Sequence, residues 1–208
     1  MKTLTSILLK PVACLLITIP AWAGPPLVCR QFDIGSAKSL PWKAGPDWHG
    51  ADPAYNVANL GDETLSLLTP GTPVRVRMET LRRASIYSAK DARLAGELTG
   101  RLMARALDAE ANGKPAPLAW FDAGYFVETI RQATFVYRYN MLDPTERVAW
   151  QLRGDAPRLD GYPWVEKAIR LGGVDMDYAL SLMTEFRLED LKHEQTTKND
   201  RPLHLSGH

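Results

Sequence analysis

Apolar positions recur along most of this chain every three to four residues, the period of a helix with one face in a core. The densest run covers residues 117–140, PLAWFDAGYFVETIRQATFVYRYN. On a helical wheel Ala119, Ala123, Phe126, Val127, Ile130, Ala133 and Tyr137 share one face. Trp120, Phe121, Tyr125 and Phe135 lie on the other side, interleaved with Glu128, Arg131 and Gln132. A helix that is apolar nearly all round needs neighbours on several sides, so this run is predicted to be the central helix of its domain.

Further helices flank it. One is predicted within 53–68, with Val57, Leu60, Leu65 and Leu68 inside and Gly61-Asp62 as a point where it splits. Thr69-Pro70-Gly71-Thr72-Pro73 breaks it. Over 74–89, Val74, Met78, Leu81 and Ala84 form the apolar face, and Glu79, Arg82 and Arg83 stand opposite with Glu79 and Arg83 at i,i+4 spacing. Asp91 caps the next helix, which carries Leu94, Leu98, Leu102 and Ala106 and ends at Asn112-Gly113. After the central helix, Asp143-Pro144 starts a short helix to about Leu152, and 155–161 is a loop. Pro163 opens a helix burying Val165, Ala168, Ile169 and Leu171 and stopping at Gly172-Gly173. Asp175 is expected to cap a last helix with Tyr178, Ala179, Leu182, Met183 and Phe186 inside. No run alternates as a strand would, so the fold class is all-α.

The two ends read differently. Residues 1–23 combine Lys2, an apolar run and Ala21-Trp22-Ala23, the pattern of a signal peptide cleaved after Ala23. Lys10, Pro11 and Pro20 interrupt that run, leaving it short of the roughly 20 clean apolar residues of a membrane span. The expectation is export to the periplasm or the extracellular space, with no stable membrane anchor after cleavage. Residues 24–52 form an extended arm rich in Pro, Gly and Trp, with Trp42 and Trp48, followed by Tyr55, pegging it onto the helices. The all-α domain is placed at 53–187, and 188–208 is read as a polar, disordered tail.

Charge and cysteine content narrow the function. Cleavage removes Lys2 and Lys10, two of 25 basic residues, and none of the 24 acidic ones, so the exported chain is nearly neutral and no nucleic-acid partner is expected. With 45% hydrophobic residues the chain has enough apolar material for a real core. Cys29 is the only cysteine after the signal, and its apolar neighbours Leu27, Val28 and Phe32 favour a buried thiol over an intermolecular bridge. Eight basic residues between Arg75 and Arg105 read as the solvated sides of two helices.

Helices beginning near Val74, Pro117 and Pro163 recur at roughly 40–45 residues, the scale of helix-hairpin arrays. Within the central helix, Trp120, Ala123 and Gly124 resemble the Trp-x-x-Leu-Gly opening of a tetratricopeptide helix, with Ala in place of Leu and Val127 where that motif has Tyr. The resemblance implies stacked helix pairs with a concave face for a peptide or partner protein. The other arrangement open to this pattern is an irregular helical bundle.

Catalytic signatures are missing: no Gly-x-Ser-x-Gly, no Gly-rich phosphate loop ending in Lys, no His-Glu-x-x-His and no Cys-x-x-Cys-His. No catalytic residue, metal or cofactor is assigned. The candidate site is instead a groove along the central helix formed by Asp122, Tyr125 and Glu128, with Arg82 facing them from the helix at 74–89. The expected function is a protein- or peptide-binding module. Two alternatives are a cell-envelope hydrolase or lyase using Asp122 and Glu128 as paired carboxylates, and a purely structural domain in which these charges form internal salt bridges.

Overall fold

The computed structural model describes residues 24–43, 45, 47–114, 116–139, 141–149 and 159–199, with the backbone alone at 146, 148 and 197–199. The signal-peptide reading of 1–23 and residues 155–158 of the loop expected at 155–161 fall outside these residues. The described chain is helical: α1 (Pro26–Cys29), a 3-10 turn (Val57–Asn59), α2 (Leu60–Leu67), α3 (Val74–Ser88), α4 (Ala92–Ala111), α5 (Pro117–Arg138), α6 (Pro144–Ala149), α7 (Tyr162–Arg170) and α8 (Asp177–Asn199). Among the described residues there is no strand, only an isolated antiparallel bridge between Trp42 and Ala51. The all-α expectation is met. No described helix is long and apolar enough to cross a membrane.

Helix α5 is the hub. Every residue from Trp120 to Ile130 is buried, and α1, α3, α4, α7 and α8 all pack against it. Five helices thus share one central partner. Local signals set the ends of these helices. Pro117 occupies the first turn of α5, where its missing N–H costs nothing. The Asp91 carboxylate caps α4 by accepting from the Arg93 amide at 2.9 Å, and Gly113 follows its last turn in the left-handed region, φ 64°.

The closest crossing joins α5 to the start of α7. A Cβ placed on Gly124 would lie 2.6 Å from the Gly161 carbonyl oxygen, and one placed on Gly161 would fall inside the Gly124 carbonyl. Backbone meets backbone here, so neither position tolerates a side chain. Trp120 packs edge-on to Trp164 one turn away, with ring centres 6.4 Å apart, and the Lys167 ammonium lies 3.7 Å over the Trp120 ring.

Several expectations need correction. The front of the arm is not an extended segment over the helices. It turns into α1, whose Leu27, Val28 and Cys29 are almost fully buried between α3, α5 and α8. The aromatic residues do peg the rest: Trp42 and Tyr55 both pack on Tyr87 of α3. Gly61-Asp62 does not split a helix but lies inside α2, where the Arg101 guanidinium crosses over Gly61 and pairs with Asp62 at 2.7 Å. Asp175 does not cap α8; it takes a left-handed conformation, φ 61°, in the turn before the helix. Tyr178 is half exposed rather than interior, edge-on to Phe32.

Residues 188–199, read from the sequence as part of a disordered tail, belong to α8, which runs on to Asn199; residues 200–208 of that expected tail lie outside the described residues. Asp190 and His193 fall on the same face as Phe186, four and seven residues on. Asp190 turns inward to Arg131 at 3.6 Å, and the His193 ring packs against Phe135 and Tyr139. These contacts carry the helix past the last apolar core residue.

Gly161→Ala should lower unfolding stability by about 2–3 kcal/mol through overpacking against backbone that cannot yield. Urea melts would show a reduced midpoint with an unchanged slope. A midpoint equal to the parent's would refute the close crossing.

Candidate functional site

Residues nominated from the sequence, Arg82, Asp122, Tyr125 and Glu128, are all buried, none more than 1% exposed. They do not line one groove. Arg82 does not face Asp122 or Glu128. Its guanidinium pairs with Glu79 one turn earlier on α3, through Nε and Nη2 at 2.8 Å each, and its Nη1 donates to the Val28 and Asp47 carbonyls at 3.0 Å. Glu79 also accepts from Arg83 at 2.7 Å and from the Phe32 amide at 3.1 Å. The side of α3 expected to be solvated is thus a buried polar network. It works as a clamp: two arginines anchored by one carboxylate grip the arm, Arg83 by the Leu40 carbonyl at 2.6 Å. Burial pushes the Glu79 carboxyl up, but the hydrogen bonds and charges of Arg82, Arg83 and the Phe32 amide outweigh it and hold the group below its usual range.

Asp122 instead meets Arg77, Oδ2 to Nη1 at 2.5 Å, with both side chains 1% exposed. Arg77 also donates to the Thr72 carbonyl at 3.0 Å and to the Thr69 carbonyl. The turn that breaks the chain before α3 is therefore tied to α5. Burial, only partly offset by Arg77 and the more distant Arg105, raises the Asp122 carboxyl to about 6.

Tyr125 stacks on Phe121 with ring centres 5.4 Å apart, and burial holds its hydroxyl well above the usual phenol range. Glu128 accepts from the Gly161 amide at 3.0 Å, with Arg131 and Arg187 at 3.7 and 3.8 Å. Its carboxyl is also raised, chiefly by burial. Six residues apart on a helix, Asp122 and Glu128 point about 120° from each other, one to α3 and the other to the start of α7. They cannot converge on one bond, and each is committed to its own partner.

Cys29 is equally enclosed: burial raises its thiol to about 12, so it is a protonated core group and not a nucleophile. Among the described residues no group of three or more His, Cys, Asp or Glu could hold a metal ion.

An open hollow lies elsewhere, along α4. Leu94, Ala95, Leu98, Leu102 and Ala106 are buried, while Ala92, Gly96, Gly100 and Leu107 lie on the exposed side. Ala92, Ala95, Gly96, Thr99, Gly100 and Met103 line a hollow of about 510 Å³, closed on its far side by Ile130, Leu159 and Trp164. Leu107, half exposed, lies one turn beyond Met103. A Cβ built on Gly96 or Gly100 would meet nothing within 4 Å. Glycine inside a helix costs about 1 kcal/mol relative to alanine, and among the described residues no packing requires it here.

No protein-family model matches the chain, and no significant match was found among curated proteins or solved structures.

Two features were missed from the sequence, only one of them beyond its reach. Nothing in the spacing singles out Arg77, among the arginines of α3, as the counter-ion of Asp122. The second face of α4 did carry a signal: Gly96 and Gly100, four residues apart inside a strongly helical run, mark a place where backbone is left bare.

The raised Asp122 carboxyl gives a pH test. A folded value above the unfolded one means that its contribution is fullest below the unfolded value and is lost as pH rises through about 6. The parent should therefore gain on the order of 1–2 kcal/mol of stability relative to Asp122→Asn as pH falls from about 7 to about 4.5. Urea melts at both pH values measure it, and equal pH dependence in the two chains would refute it.

Proposed function

We propose that this chain is an exported, non-enzymatic helical module that binds a helical segment of a protein in the groove along α4. The observation that carries the reading is the pair of open mid-helix glycines, Gly96 and Gly100, on the floor of an apolar hollow. Bare helix backbone lets another helix approach closely, and apolar side chains of that helix gain burial against Met103, Ile130, Leu159 and Trp164. This moves the binding surface from the central helix, where the sequence placed it, to α4. Export rests on the pattern of residues 1–23 alone, with cleavage after Ala23.

The geometry of the carboxylates supports a binding role over the hydrolase or lyase alternative. An acid–base pair must reach one substrate bond from an accessible cleft, whereas Asp122 and Glu128 are buried on different sides of α5.

A photoreactive benzophenone residue at Thr99 in the native host provides the test. We expect a crosslink to a defined protein that disappears when Gly100→Trp fills the groove and is absent when the probe sits at exposed Lys192 on α8. Equal crosslinking from Thr99 and Lys192, or none from Thr99, would overturn the groove reading.

A further inference from the structure

We infer that a second site, separate from the α4 groove, lies between the first turn of α3 and the start of α8 and takes a free basic amino acid. A hollow of about 440 Å³ opens there, within the size range of small-ligand pockets. Val74 and Met78 of α3, both buried, supply its apolar wall. Arg75, Asp175, Asp177 and Tyr178 line its open side. The Arg75 guanidinium lies 5.8 Å from the centre of the half-exposed Tyr178 ring, a cation–π distance. That ring is itself set edge-on to Phe32.

The charges around this hollow are unmatched. One guanidinium and two carboxylates border the same space, yet among the described residues none of the three side chains forms an ion pair or a hydrogen bond. The other arginines of α3, Arg77, Arg82 and Arg83, are all tied to carboxylates. A ligand that matches all three groups carries one anionic and two cationic groups on an apolar stem. That is the pattern of a free basic amino acid. Its carboxylate meets Arg75, whose planar fork suits a carboxylate. Its α-ammonium and side-chain cation meet Asp175 and Asp177, and its methylenes lie on Val74 and Met78. Arg75, Asp175 and Asp177 are exposed, so each contact is modest alone. Recognition rests on making all three at once.

Isothermal titration calorimetry of the purified chain with L-arginine tests the site. Three analogues each lack one charge: agmatine the carboxylate, L-citrulline the side-chain cation and N-acetyl-L-arginine the α-ammonium. L-Arginine is expected to bind saturably, and each analogue roughly fivefold or more weakly. Arg75→Gln should bring L-arginine down to the level of agmatine and leave agmatine binding unchanged. Asp175→Asn and Asp177→Asn should each weaken L-arginine by a similar factor, one removing its preference over L-citrulline and the other its preference over N-acetyl-L-arginine. These changes remove charge with little change of shape, and Asn, like Asp, is tolerated in the left-handed conformation of residue 175, φ 61°. Circular dichroism checks that each variant is folded. The assignment would be overturned by no saturable heat with L-arginine up to millimolar concentration, or by any analogue that binds as tightly as L-arginine. An Arg75→Gln chain that still prefers L-arginine to agmatine would also overturn it.

Discussion

The all-round burial of α5 sets the terms for the rest of the molecule. Eleven successive residues of one helix, Trp120 to Ile130, have no face toward water, so apolar cover must come from every direction. The chain supplies it with α3, α4, α7, α8 and the short α1 at its front. Asp122 and Glu128 lie within that run, and a buried carboxylate is costly unless it has a counter-ion or a donor. Arg77 and the Gly161 amide are those partners. They also tie the turn before α3 and the start of α7 to the central helix.

The same logic explains how the charges of α3 are used. Glu79, Arg82 and Arg83 form a network that binds backbone carbonyls and an amide of the arm, so a Pro- and Gly-rich segment with little periodicity of its own acquires a fixed path. Its apolar residues Leu27, Val28 and Leu40 then complete the core. Once these polar groups are committed to holding the fold, they offer little to a ligand. The surface left with unexplained features is α4, where two helix positions accept the cost of glycine and the stripe above the core-facing side remains apolar.

Much of the fold was legible in the sequence. The helical period gave the all-α class and the central helix, and Pro73, Asp91, Gly113, Pro117 and Pro163 lie near the helix ends they predicted. What escaped was mainly tertiary. The wheel of α3 put Glu79 and Arg82 on a polar face, and only a second segment packed over that face could bury them. Asp190 and His193 look like tail residues until Arg131 and Phe135 of α5 and Tyr139 just beyond it pack on them. For the site, burial of Asp122, Tyr125 and Glu128 followed from the run being apolar nearly all round, yet a groove needs an open side, which such a helix does not have. The glycines of α4 were the clue in plain view, and their meaning depended on knowing that none of the described residues fills the space above them.

Hydrogen exchange read by mass spectrometry tests the central role of α5 most directly, since local protection reports burial. Peptides covering 120–136 should be the slowest to exchange. Fast exchange across 120–130 would contradict the assignment of α5 as the hub of the fold.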